Sequence, residues 1–468
     1  MLDAIFRPLA GARAGSPNGS PNLATLAYAH WAAGDYADQQ DRYKRLRAWY
    51  GGEHDVPLTT RQRQYLAVDS KFAWALNYLR LPVELCVERL TVTGFDGPDG
   101  IGGVGGVIDE WWTSGRMDGL QNQLHRAAIR DGDTYLIIEW DEANGRPIFS
   151  HEPAYDGDEG VKVHYLSNLR REMTMASKVW TESRLDDAGR TEAVRRLNLY
   201  LPDRIEKYSN GGKGWQPYKD NPADPWPLAW PIGRIPVIHF RWRDDGDNWG
   251  ESELEPLIPL QMALNKAALD EMEAADRTGM QVLTLSGAAW PNPAPEVSAG
   301  DVYNVAQADA RWGVIPPADL SQLGQRMTDY IVRMAQISHI PLQYFQVTGQ
   351  IASAATQAAD DSQLVAKVAS ESVSLGNAWE DAMYIALKLY QEYGNGRDLA
   401  RGENIETRWA EFGRVDPMAV EERRAAIVQA LAAAGLGVEG IVTLAALGYS
   451  QEEQAALLRL DVVTGVEQ

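Results

Sequence analysis

Apolar side chains recur at every third or fourth position in several stretches of this sequence, which is the pattern of amphipathic helices. Within 71–90, for example, Phe72, Leu76, Val83 and Leu90 share one predicted helical face. Helices are predicted at about 23–50, 71–90, 107–129, 251–277, 318–338 and 354–393, and as three short helices in the last 50 or so residues. The helix at 354–393 is far longer than the average helix of globular proteins.

Between about 134 and 242 the helical period gives way to short apolar or alternating runs, which predict β-strands. The strongest run is 134–140. The other runs in this region are 161–166, 177–181, 193–200, 204–208 and 236–242. Further β-like runs lie within 279–316 and at 405–410. The pattern therefore predicts an α+β protein.

The N-terminal 22 residues are rich in Gly, Pro, Ser and Asn, and we expect residues 1–22 to form a flexible arm. They lack the apolar segment of a secretory signal. Because no stretch approaches about 18 uninterrupted apolar residues, no transmembrane helix is expected. The sequence thus predicts a soluble, intracellular protein without a membrane partner.

Composition narrows the classes of function. Of the 468 residues 45 % are apolar, which is typical of globular protein, and the length predicts about three domains. The 44 Lys and Arg residues against 65 Asp and Glu residues give a net charge of −21. This charge argues against a protein that coats nucleic acid by neutralising phosphates, but it allows one past which nucleic acid slides. Cys86 is the only cysteine, so intrachain disulfides and cysteine zinc sites are excluded, and its apolar neighbours predict a core position.

The usual catalytic motifs are absent from the sequence, which has no Walker motif, no G-x-S-x-G and no H-E-x-x-H. The pair Asp131 and Asp133 could hold Mg²⁺, although the glycine between them favours a turn. Asp245 and Asp247 begin like a calcium-binding loop whose later positions do not match, which again favours a turn. We therefore predict no catalytic residue, no metal and no cofactor.

Four stretches resemble, in their order and spacing, the portal proteins of long-tailed bacteriophages, which are head-to-tail connectors. They are 50–52 with 77–78 and 87–95, then 249–266 beginning W-G-E-S-E-L, then 340–355, and finally 434–450. The likeness covers nearly the whole chain. It implies the portal fold, with a mixed α/β wing, a helical stem, a small α/β clip, a long kinked helix with a tunnel loop, and a helical crown.

The resemblance also implies a division of the chain. The arm would be 1–22, the wing 23–250, the stem helices 251–278 and 317–340, the clip 279–316, the tunnel loop 341–357, the long helix with the wing return 358–414, and the crown 415–468.

Particular residues follow from this division. The tunnel loop would touch DNA with uncharged polar side chains, namely Gln343, Gln346, Thr348, Gln350, Ser353, Thr356 and Gln357. The stem would carry Asn265, Lys266, Arg277, Arg326 and Arg333. The long helix has more apolar residues than one face of a single subunit needs, so Trp379 and Met383 are predicted to lie at an oligomer interface.

The function implied by the resemblance is structural. Such a protein would form a dodecameric ring at one capsid vertex, through which double-stranded DNA is packaged and ejected. Its partners would be the terminase, the major capsid and scaffolding proteins and a head–tail adaptor, and it would be assembled in the host cytoplasm and kept in the virion. The alternatives are another structural virion protein and an acidic hydrolase acting on carbohydrate. The 16 tryptophans could form a sugar platform, but their spread along the chain favours packing.

Overall fold

Helices lie largely where the apolar periodicity places them. A computed structural model describes residues 36–54, 56–66, 76–97, 104–165, 172–185, 191–211, 214–278, 282–286, 309, 311–315, 321–345, 360–394 and 405–413. The helices in these ranges are α1 Tyr36–Gly51, α2 Thr60–Leu66, α3 Arg80–Val87, α4 Val104–Ser114, α5 Met117–Asp131, α6 Ile258–Thr278, α7 Ser321–Ser338 and α8 Ser362–Tyr393. A single 3-10 turn, Leu342–Tyr344, follows α7.

One predicted helix is in fact two. The segment predicted as a helix at 107–129 bends after Gly115, where Arg116 adopts a left-handed conformation with φ of 53°. This conformation is incompatible with a continuous right-handed helix, so α4 ends before it and α5 begins after it. The predictions at 318–338 and 354–393 are confirmed as α7 and α8 in the described residues.

The helix predicted to start at about 251 begins later, at Ile258. The hydroxyl of Ser252 accepts the backbone N–H of Leu254 at 3.0 Å, which closes a tight turn ahead of the helix. Pro256 has no N–H to donate, so the first helical turn forms only when the N–H of Ile258 bonds to the carbonyl of Leu254 at 3.0 Å.

The pairings between the described strands are antiparallel, as in an α+β protein, and one isolated parallel bridge joins Ala154 to Val161. The strands are β1 Val92–Asp96, β2 Asp133–Asp141, β3 Arg146–Pro153, β4 Gly160–Tyr165, β5 Met173–Leu185, β6 Thr191–Tyr200, β7 Arg204–Asn210, β8 Gln216–Pro217, β9 Leu228–Ala229, β10 Val237–Arg241, β11 Val282–Ser286, β12 Arg311–Ile315 and β13 Glu406–Trp409. They form a three-stranded sheet β10–β2–β3, a sheet β4–β5–β6–β7–β8 with β9 on β7, and the pairs β1–β13 and β11–β12.

The central strand β2 carries the strongest predicted strand signal, and its first six residues are all buried. It pairs with β3 from Thr134 to Asp141, and Ile137 lies opposite Val237 of β10. A strand flanked on both sides explains the nearly continuous apolar run in the sequence. The start of β2 consequently lies inside the subunit, which places Asp133 in the core.

A large apolar core joins α3, α5, β2, β10 and α8. Cys86 belongs to it with no exposed surface, which confirms its predicted core position. Burial raises the pKa of the Cys86 thiol to about 12, so the thiol is neutral at physiological pH.

Within the predicted clip, β11 and β12 form an antiparallel pair with Val282 opposite Ile315. The predicted arm 1–22 and crown 415–468 lie outside the described residues. Nearly all described residues belong to one compact unit made of 1–349 and 363–412. No described helix combines the length and apolar character that a membrane span needs.

Candidate functional site

The α5–β2 turn places two carboxylates in the protein interior. Gly132 has φ of 89°, a left-handed conformation that lets the chain reverse between them. Asp133 is completely buried. Its Oδ1 accepts His239 Nε2–H and the N–H of Gly250, each at 2.8 Å, and its Oδ2 accepts the hydroxyl of Tyr43 at 2.7 Å. This one side chain thereby ties α1, β10 and the turn before α6 to β2.

Asp131 is equally buried and is neutralised by two arginines. Arg47 Nε lies 2.9 Å from its Oδ2, and Arg130 Nε lies 2.7 Å from its Oδ1. The favoured interpretation of this Asp pair as part of a turn is confirmed by Gly132, and both carboxylates are in addition internal ion-pair partners. No group of three or more His, Cys, Asp or Glu side chains is arranged for a metal in the part of the chain that the structure describes.

The turn before α6, residues 249–255, is built against this acidic turn. The N–H of Trp242 bonds to the carbonyl of Gly132 at 2.9 Å, and the N–H of Glu251 bonds to the carbonyl of Trp242 at 2.8 Å. The N–H of Glu253 bonds to the carbonyl of Ile129 at 3.0 Å. These backbone bonds fix the point at which the chain enters α6.

Glu253 is the charged centre of this turn and has no exposed surface. Its carboxylate accepts Trp242 Nε1–H at 3.3 Å and pairs with Arg243 Nη2 at 3.0 Å and with Lys367 Nζ of α8 at 2.5 Å. Lys367 Nζ also donates to the carbonyl of Ser338, the last residue of α7, at 2.9 Å. The entry to α6, the end of α7 and the start of α8 therefore meet at one buried ammonium group.

An open cleft of about 760 Å³ lies over this junction, between the 241–251 segment, the end of α7 and α8. Arg241, Glu251 and His339 contribute to its polar walls. Ile337 and Val373 line it with large exposed apolar surfaces, 44 % and 62 % respectively. The cleft thus combines charged walls with exposed apolar side chains.

Two acidic side chains line the cleft, of which Glu371 is half-buried and Asp381 is exposed. Burial raises the pKa of Glu371, whose carboxylate accepts the N–H of Arg243 at 3.0 Å. This shift follows from the cost of holding a carboxylate away from water. Asp381 instead lies 3.4 Å from Arg234 Nη1 in an exposed ion pair.

The residues predicted for the stem do not come together in one place. Asn265 is completely buried, where its Oδ1 accepts the N–H of Leu76 at 3.1 Å and its Nδ2 donates to His54 Nδ1 at 2.8 Å. It therefore holds a neighbouring segment of the same subunit. Lys266 is half-buried and donates to Gln62 Oε1 at 3.0 Å.

The remaining stem residues are arginines. Arg326 and Arg333 are exposed and lie seven positions apart on α7, so they share one helical face. Arg277 belongs to α6, but its side chain lies outside the described residues.

Of the residues predicted for the tunnel loop, the structure describes Gln343 alone, which lies half-buried in the 3-10 turn. The other six, from Gln346 to Gln357, fall outside the described residues.

The expected interface role of Trp379 and Met383 is corrected by their burial. Their exposed fractions are 0 % and 1 % within a single subunit, so neither has surface to offer to another chain. Trp379 packs edge-on against Trp112 and Phe240, with ring centroids 5.2 and 5.0 Å away. Elements of the same chain pack against α8 on more than one side, and they bury its additional apolar side chains.

Sequence reasoning missed the Glu253–Lys367 pair. One signal for it was present, since Lys367 lies between Leu364 and Val368 in the apolar stripe of α8. A charge within a buried stripe indicates an internal partner. The partner itself lies 114 positions away and has no sequence signature.

Comparison with known proteins identifies the family. Residues 29–412 match the family described as phage portal protein, SPP1 Gp6-like. A chain in a solved structure titled "Neck of empty GTA particle computed with C6 symmetry" has a TM-score of 0.43 and 12 % identity, over 80 % of this chain and 89 % of that chain. Another, from "Virion of native gene transfer agent (GTA) particle", has a TM-score of 0.41 and 12 % identity, over 88 % of this chain and 94 % of that chain.

No curated protein matches the sequence. The family match spans most of the chain. It fully includes three of the four stretches that carry the resemblance, and the fourth, 434–450, lies beyond it. Portal proteins are structural components of phage-like particles and not enzymes. The chain belongs to the phage portal protein family of the SPP1 Gp6-like type.

Proposed function

We propose that this protein forms a ring of about twelve subunits at one vertex of a phage-like capsid and that double-stranded DNA enters and leaves through the ring. The observation that carries the proposal is the family match over 29–412. The charge supports it, because twelve chains of −21 give a ring of about −250 that does not hold passing phosphates.

Further parts of the proposal concern the partners and the regions. The terminase would dock on the ring during packaging, and a head–tail adaptor would bind it afterwards, while the major capsid and scaffolding proteins would surround it during assembly. We assign α6 and α7 to the stem, the β11–β12 pair to the clip and 341–357 to the tunnel loop. The exposed face of α7 with Arg326 and Arg333 is our candidate for the channel wall, because these two cations are not buried within the subunit.

The decisive experiment for the ring is negative-stain microscopy with analytical ultracentrifugation of the purified protein. A closed ring of about twelve subunits with a central hole supports the proposal. A stable monomer of 51.8 kDa that hydrolyses polysaccharide would contradict it and would favour a hydrolase.

The tunnel loop has a separate test. Deletion of 346–350 should leave ring assembly intact, because a loop facing an open channel buries little apolar surface, whereas DNA retention in the particle should fail. The double variant Gln346→Lys with Gln350→Lys adds about 24 positive charges to a twelve-fold ring and should slow DNA movement most at low salt. Normal packaging and retention by the deletion variant would refute the loop assignment without refuting the portal function.

A further inference from the structure

Residues 339–361 connect the end of α7 to the start of α8, and the structure describes 339–345 and 360–361 of this connection. α7 ends where His339 adopts a left-handed conformation with φ of 55°. The N–H of Ile340 then bonds to the carbonyl of Ala335 at 3.1 Å, which is a helix-ending bond of the Schellman type. The carbonyl of Ser338 remains available to a side chain, and Lys367 Nζ occupies it at 2.9 Å.

Two electrostatic interactions stabilise the positive charge of the Lys367 ammonium group. It lies at the negative end of the α7 dipole, and it pairs with Glu253 at 2.5 Å. The exposed fractions of Lys367, Ser338 and Glu253 are 9 %, 1 % and 0 %. Charged hydrogen bonds away from water are stronger than surface ones, so this contact restricts the three elements more than an exposed ion pair would.

Residues on both sides of 346–359 are also fixed by packing. Phe345 is buried, and its ring centroid lies 6.1 Å from that of Tyr78. The hydroxyl of Tyr344 accepts Arg89 Nη2–H at 3.0 Å. On the other side, Leu364 has no exposed surface. Both sides pack into the same apolar core, and Lys367 adds a polar connection between them.

We propose that Lys367 is a positioning residue that sets the distance between the end of α7 and the start of α8. Any effect on DNA retention rests on the proposed function, but the positioning role does not. Loss of Lys367 leaves Glu253 with Arg243 at 3.0 Å and Trp242 Nε1 at 3.3 Å, so the carboxylate does not become an isolated buried charge. The effect of the loss is therefore local.

The test compares Lys367→Met with wild type by hydrogen exchange of the full chain, in peptides from 336–345 and 363–370. Exchange in these peptides should become about tenfold faster or more, because two charge-assisted hydrogen bonds are lost. Peptides from β2 and β6 should keep wild-type exchange. Lys367→Arg should restore slow exchange, because a guanidinium group can bond a carboxylate and a carbonyl together.

Lys266→Met is the matched control, because Lys266 is also a partly buried lysine that pairs within the subunit, but on α6 and away from this junction. It should leave 336–345 and 363–370 unchanged. Unchanged exchange in Lys367→Met, or faster exchange in every peptide to the same degree, would overturn the positioning role.

Particles that contain Lys367→Met separate this inference from the proposed function. We expect rings of normal size that lose packaged DNA. If exchange at the junction is faster but DNA is retained normally, the positioning role stands and its effect on DNA retention fails. If the wild-type protein forms no ring, the proposed function fails whatever the exchange result.

Discussion

The indole N–H of Trp379 donates to His125 Nε2 at 3.0 Å, and both side chains are completely buried. The other ring nitrogen, Nδ1, donates to the carbonyl of Leu90 at 3.0 Å. These two partners select the neutral tautomer with its proton on Nδ1, because a proton on Nε2 would face another donor. Burial lowers the pKa of His125 to about 4. The bond thus joins α5 to α8 only while the histidine is neutral.

Acid should destabilise the subunit through this histidine. The unfolded chain takes up a proton near the ordinary pKa of 6.5, while the folded chain resists until about pH 4, so stability is complete above pH 6.5 and falls as pH decreases between these values. The loss from His125 should be roughly 3 kcal/mol. The measurement is the free energy of unfolding at pH 7.5 and pH 4.5 in wild type and His125→Gln, whose amide can still accept the Trp379 N–H. Equal pH dependence in both proteins would contradict this explanation.

Replacement of Asp133 by Asn should cost about 3–5 kcal/mol, because it removes the charge that Arg42 and His239 face and turns one acceptor into a donor. The midpoint of denaturant unfolding measures the loss. Asp158→Asn is the matched control, since Asp158 is also in an Asp-x-Asp pair but is exposed, and it should change stability by less than about 0.5 kcal/mol. A similar loss of stability in the two variants would contradict a stabilising role of the hydrogen bonds and ion pairs around Asp133.

Gly250 should not tolerate even a methyl group. A Cβ atom there would meet the carbonyl of Gly132 and would lie 2.6 Å from the carbonyl oxygen of Trp242, and neither backbone atom can rotate away. We expect Gly250→Ala to lose about 2–3 kcal/mol in thermal unfolding. Gly51→Ala, where nothing lies within 4 Å of the added atom, serves as the control and should unfold near the wild-type temperature. A wild-type melting curve for Gly250→Ala would mean that the turn before α6 can shift.

Two variants on α8 distinguish a core residue from an exposed one. Trp379→Ala should destabilise the subunit itself by about 3–5 kcal/mol, because it leaves a large cavity between Trp112 and Phe240. Val373→Asp, six positions earlier on a 62 % exposed side chain, should leave unfolding within about 0.5 kcal/mol of wild type. Chemical denaturation of the dissociated subunit measures both. A stable Trp379→Ala subunit that fails only in ring formation would restore the interface role that its burial excludes.

The order of helices and strands was largely predictable, because periodicity depends on neighbours that are close in sequence. Helix α7 and strand β2 are examples. Helix boundaries that depend on one particular hydrogen bond were not predicted. The start of α6 depends on the hydroxyl of Ser252 and on Pro256, and no periodic pattern reports either.

The polar interior was beyond sequence reasoning because its partners are far apart along the chain. Arg47 and Asp131 are separated by 84 positions, and Arg42 and Glu255 by 213. Trp379 was misplaced for a related reason. Additional apolar side chains on a helix indicate that they are buried. They do not indicate whether the residues that bury them belong to the same chain or to another one.

The pairing of β1 with β13 has a consequence for biosynthesis. The hydroxyl of Thr93 donates to the carbonyl of Arg408 at 3.2 Å, across 315 positions. At about 5–20 residues per second, the ribosome supplies the second strand about 15–60 s after the first. During that interval β1 lacks its partner, and the core face beneath it stays incomplete. The β1 face of the core is therefore completed only after the ribosome has translated Trp409, so this part of the protein cannot finish folding on the ribosome before that point.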